Sequence, residues 1–69
     1  MPLSVANEGT TNIIRKVGGQ SETRKFLETL GFVTGSEVVV VSKNNGNIIV
    51  NVKNSRVAIG KDMANKIYV

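Results

Sequence analysis

A chain of 69 residues with nine Lys and Arg, five Asp and Glu, no Cys and no His has room for one small domain spanning residues 1–69. Without Cys or His it can form no disulfide and no zinc site of the usual ligands. It also cannot form a Ser–His or Cys–His nucleophile pair, which argues against an enzyme.

A chain this short buries only about 60% of the surface its unfolded form exposes, so its core must be small. The net charge of +4 is spread over Arg15, Lys16, Arg24, Lys25, Lys43, Lys53, Arg56, Lys61 and Lys66, the pattern of a solvated surface. No apolar run nears the roughly 18 residues needed to span a bilayer. The opening Met1-Pro2-Leu3-Ser4 lacks the charged and apolar regions of a signal peptide. The expectation is a soluble, cytoplasmic protein.

Val and Ile together number 17, and β-branched side chains suit a pleated, half-buried surface. Glu8-Gly9 reads as a turn before a first strand, Thr10 to Val17, which Gly18-Gly19 ends. A helix is predicted from Ser21 to Leu30. Ser21 is its candidate cap, Glu22 sits in its first turn, and Phe26, Leu27 and Leu30 form one apolar face for the core. Gly31 supplies the left-handed residue that commonly ends a helix. Phe32 and Val33 follow, either covering the barrel end or left exposed as an apolar patch.

Thr34-Gly35 turns the chain into a strand from Glu37 to Ser42. Its four consecutive Val residues, Val38 to Val41, predict that both faces are covered, as when a helix lies against a barrel. Asn44-Asn45-Gly46-Asn47 is a hairpin signal. The return strand, Ile48 to Lys53, alternates: Ile48, Val50 and Val52 on one face, Ile49, Asn51 and Lys53 on the other. Asn54-Ser55 turns again, and Arg56 to Ile59 forms a fourth strand. Gly60 to Asn65 reads as one helical turn and Lys66 to Val69 as a last short strand. Short strands, tight turns and one helix predict a mainly β fold: a small SH3-like barrel with one short α-helix and a helical turn near the C-terminus. Closure would remove exposed edges. The OB-fold, the competitor, usually needs longer strands.

Two segments carry a family resemblance. One is Arg24-Lys25-Phe26-Leu27-Glu28-Thr29-Leu30-Gly31-Phe32-Val33-Thr34-Gly35, followed by Glu37-Val38-Val39-Val40. The other is Val57-Ala58-Ile59-Gly60, closing with Ala64-Asn65-Lys66-Ile67-Tyr68-Val69. In this order and at this separation they resemble the FeoA family, small SH3-like proteins that accompany FeoB, the bacterial membrane transporter of ferrous iron. Similar domains close some metal-dependent repressors. The resemblance implies a non-enzymatic accessory protein that meets the cytoplasmic, G-protein-like part of an FeoB-type transporter and touches the membrane only through it. The chain departs from many relatives in having Thr34 where they have Pro, Asn54 where they have Gly, and a shorter hairpin around Asn45-Gly46.

The residues expected to meet such a partner are Leu30, Gly31, Phe32 and Val33 at the helix exit, with Arg24 and Lys25 as a basic helix face. A basic face steers an acidic partner and sets the salt dependence of binding. No cofactor is expected. Glu8, Glu22, Glu28, Glu37, Asp62 and Met63 are the available metal ligands, but ferrous sites usually combine imidazole with carboxylate, so no dedicated iron site is expected. Small barrels bind nucleic acid through a positive groove with stacked aromatics. Phe26, Phe32 and Tyr68 make a poor platform, so no nucleic acid is expected. A nucleic-acid-binding or metal-repressor-type regulatory module is the alternative.

Overall fold

The computed structural model describes residues 1–69. In chain order it contains a 3-10 turn (Leu3–Val5), β1 (Thr11–Ile13), β2 (Lys16–Val17), α1 (Ser21–Thr29), β3 (Glu37–Asn44), β4 (Asn47–Val52), β5 (Ser55–Gly60), α2 (Lys61–Ala64) and β6 (Ile67–Tyr68). One antiparallel sheet has the order β1-β3-β4-β5, and β2 pairs with β6 in a second.

The β3-β4-β5 meander follows the sequence pattern closely. In β4, Ile48, Val50 and Val52 are buried while half-buried Ile49 and exposed Asn51 turn outward; Lys53, expected to continue this alternation, lies past the strand in the next turn. Asn44 pairs with Asn47 across Asn45-Gly46, and Gly46 supplies a φ of +84°. The next turn has the same length. Val52 pairs with Ser55, and both intervening residues are left-handed, Lys53 at φ 50° and Asn54 at φ 63°. Positive φ at both central residues defines a type I′ turn, whose twist matches that of the flanking strands.

Three expectations change. The strand predicted over Thr10 to Val17 is two strands with a corner between them. The Ile14 N–H donates to the Ser36 carbonyl (2.9 Å), and the Arg15 N–H donates to the Tyr68 carbonyl (2.7 Å). The chain thus leaves the β3 side for β6 between adjacent residues, which is how the barrel corner is made.

The four-Val run is covered on one face only. Val38 and Val40 are fully buried, whereas Val39 and Val41 are half-exposed. Val41 is also the extra residue where the β3–β4 register shifts between Val40 and Ser42. Such bulges bend and twist the strand.

Finally, Ser21 does not cap α1. Gln20 occupies the N-cap position, and no side-chain hydrogen bond is made there.

The core is one cluster of 13 apolar residues, and Phe32 is its largest fully buried side chain, beside Leu3, Ile14, Leu27, Ile67 and the inward Val residues. Ala64 of α2 and Ala6 beyond the 3-10 turn complete it. The Ser4 hydroxyl donates to the Asn65 side-chain oxygen, tying the 3-10 turn to the end of α2.

Candidate interaction surface

The geometry of the α1 exit decides which predicted contact residues reach solvent. Leu30 is the C-cap and Gly31 follows at φ +106°. The Phe32 N–H donates to the Leu27 carbonyl (3.0 Å) and the Gly31 N–H to the Glu28 carbonyl (3.0 Å). These are the two bonds of a Schellman motif, which normally brings its last residue against the one five positions earlier. Leu27 and Phe32 are both fully buried in the one core cluster.

This corrects two expectations at once. Phe32 is a core residue, so it cannot present an exposed apolar patch. Phe26, expected in the core, is 52% exposed. Adjacent helical residues point about 100° apart. Once Leu27 and Phe32 fill the centre of the barrel, Phe26 is left at its rim.

Of the remaining predicted contacts, Gly31 is buried, Leu30 and Val33 are half-buried, and Arg24 and Lys25 are exposed. Arg24 and Lys25 do not make a single basic face, because consecutive residues on a helix do not face the same way. Lys25 lies nearly opposite Leu27, while Arg24, three residues before Leu27, leaves the helix on the same side as that core residue. A Cβ at Gly31 would meet the Lys53 side chain at 3.4 Å. The helix exit therefore packs directly beneath the β4–β5 turn.

What reaches solvent at this end is an exposed aromatic ring, two half-buried aliphatic side chains and two cations. The exposure of Phe26 was signalled by the Gly31-Phe32 pair, since that motif assigns the inward place to the residue after the glycine.

Elsewhere Met1, Val5, Ile13 and Tyr68 are the other large apolar or aromatic side chains left exposed. A shallow depression of about 470 Å³ is lined by Ser36, Glu37, Val39, Asn51, Lys53 and Asn54. No three Asp or Glu side chains come close enough together to hold an ion. No buried side-chain nitrogen or oxygen lacks a hydrogen-bond partner. No helix is long and apolar enough to cross a membrane.

The family model described as the FeoA domain matches residues 1–69. The chain belongs to the FeoA family. It is 35% identical over 68 residues to an Fe(2+) transport protein A of Methanocaldococcus jannaschii, a match covering 99% of this chain and 83% of that protein. Among solved structures it is similar to the crystal structure of an iron uptake regulatory protein, FeoA. That match has 29% identity and a TM-score of 0.90, and covers 97% of this chain and 91% of the other. It also resembles the zinc-complexed FeoA of Stenotrophomonas maltophilia, described as a prokaryotic SH3 domain protein. There the identity is 28% and the TM-score 0.86, with 100% of this chain and 88% of that one covered. A manganese-dependent transcriptional repressor shares the fold at 19% identity and a TM-score of 0.91, this chain matching 40% of its length. The architecture is thus the SH3-like barrel expected from the sequence, in a chain of the FeoA family.

Proposed function

We propose that this FeoA-family chain is a cytoplasmic, non-enzymatic accessory protein of ferrous iron uptake that acts by binding the cytoplasmic region of an FeoB-type transporter. The observation that carries the reading is the match of the whole chain to the FeoA domain, together with a relative named for Fe(2+) transport. The exposed surface gives it physical content. Phe26 offers a half-exposed aromatic ring beside half-buried Leu30 and Val33. Aromatic anchors of this kind dominate protein interfaces. Arg24 and Lys25, exposed on the same helix, add the positive charge that steers an acidic partner toward this end. Gly31 and Phe32 contribute from beneath, by fixing the angle at which the chain leaves α1. Binding there stabilises whichever state of the transporter domain it contacts better, since a partner shifts an equilibrium only by its differential affinity for the two states.

The test is titration of isotope-labelled protein with the purified cytoplasmic region of the transporter, followed by NMR. Chemical shifts should move at Phe26, Leu30 and Val33. The double substitution Arg24→Glu/Lys25→Glu should weaken binding at low salt and leave the melting temperature unchanged. Unaltered affinity at low salt would remove these cations from the interface, and silence from the wild-type chain would overturn the reading itself.

A further inference from the structure

The sheet ends at β5 with no strand beyond it. The direction of its backbone groups follows from the register. Val52 and Ser55 flank a two-residue turn, so they exchange ladder bonds, and bonded and non-bonded pairs then alternate along the hairpin. Val50–Val57 and Ile48–Ile59 are bonded pairs, while Asn51–Arg56 and Ile49–Ala58 are not. The far side of the sheet agrees with this phase: the Val40 carbonyl, opposite Val50, is turned away from β4 and accepts the Gly9 N–H at 2.8 Å. Arg56 and Ala58 therefore direct both N–H and C=O away from the sheet. None of the backbone hydrogen bonds outside the regular ladders involves a residue from 55 to 60. Both side chains are exposed, and the strand carries no proline and no bulge.

An unprotected edge of this kind is a template for a further strand. The other edge of the sheet, β1, is only three residues long. At six residues, β5 offers twice that length.

Charge selects the occupant. Along the β5 edge lie exposed Lys53, Arg56 and Lys61; Asp62 follows Lys61, and Glu37 shares the shallow depression with Lys53, so cations outnumber carboxylates there. A second copy would bring the same three cations to the seam, between two chains of net charge +4 each. An acidic strand would meet them with complementary charge.

We propose that the β5 edge receives an extended, acidic peptide segment of the partner, which adds a strand to the sheet through the backbone groups of Arg56 and Ala58. The proposal rests on the contact reading above and specifies what the partner must offer.

The experiment is amide hydrogen exchange and affinity measurement with the purified cytoplasmic region of the transporter as titrant. In the complex, exchange at the Arg56 and Ala58 amides should slow by at least about tenfold, because both N–H groups become bonded. Ala58→Pro removes one outward N–H without breaking a ladder bond, as proline is tolerated on an open edge. It should weaken binding about tenfold or more. Arg56→Glu should weaken it similarly and flatten its salt dependence. Both variants should keep the wild-type melting temperature within a few degrees. The wild-type exchange result stands even where Ala58→Pro fails to fold.

Equal affinity for wild type and Ala58→Pro, with protection only at Phe26 and Leu30, would overturn the edge proposal and leave the contact reading intact. No binding by the wild-type chain would overturn both. Protection of Arg56 and Ala58 that rises with protein concentration in the absence of the transporter region would make a second copy the occupant and overturn the acidic segment.

Discussion

Two phenylalanines six positions apart test the account of the α1 exit. Phe32 is 0% exposed and Phe26 is 52% exposed. Truncating a buried Phe to Ala costs about 3–5 kcal/mol, part lost transfer energy and part cavity. Total stability for 69 residues at 0.05–0.15 kcal/mol per residue is roughly 3–10 kcal/mol. Phe32→Ala should therefore bring the domain to the edge of unfolding. It also strips Leu27 of its neighbour across the helix end.

Phe26→Ala removes a ring already half in water, at a cost on the order of 1 kcal/mol. In a domain of this size that is a fall of about 4–8 °C in melting temperature. The assay is urea unfolding of wild type and both variants, followed by far-ultraviolet circular dichroism, with the slope m checked for constancy. A larger loss from Phe26→Ala than from Phe32→Ala, or a Phe32→Ala variant within about 1 kcal/mol of wild type, would refute the assignment of inner and outer rings.

Asn54→Gly should raise stability by about 0.5–1 kcal/mol, because it relieves a left-handed non-glycine residue in the type I′ turn; an unchanged or lower urea midpoint would contradict the turn assignment. At the start of α1, Gln20→Ser should gain up to about 1 kcal/mol by supplying the missing cap, whereas Ser21→Ala should change stability by less than about 0.5 kcal/mol. The reverse order in thermal melts would return the cap to Ser21.

The meander was readable in the sequence because its determinants are local. Alternation in β4, the Asn45-Gly46 turn and the Gly31 stop each involve residues within a few positions of one another. The corner at Ile14–Arg15 was not readable in the same way. It exists because Ser36 and Tyr68, distant in the chain, offer carbonyls to successive amides. The half-exposure of Val39 and Val41 likewise depends on where α1 docks, and a run of four Val residues carries no trace of that.

The exchange of roles between Phe26 and Phe32 lies between these cases. An apolar spacing of three and four admits Phe26 to the core, but the hydrogen bonds that follow a helix-ending glycine give the place to Phe32. Of the expected contact residues, the exposed Arg24 and Lys25 and the half-buried Leu30 and Val33 could be named from sequence. The free edge of β5 could not, because it depends on which strand ends the sheet.

The strand pairing also sets an order of assembly. Two-residue turns join β3 to β4 and β4 to β5, whereas Lys16 must find Tyr68 and Val17 must find Ile67 across most of the chain. Closure entropy grows by about 0.6 kcal/mol per doubling of loop length, so the second pairing carries an extra cost on the order of 3 kcal/mol before any contact offsets it. The meander is therefore the natural nucleus, and the β2–β6 ladder closes last. A barrel sealed by its most distant pairing folds on the slow side for its size, in roughly milliseconds to seconds. While the seal is open, Ile14 and Ile67 are the core residues left waiting in water.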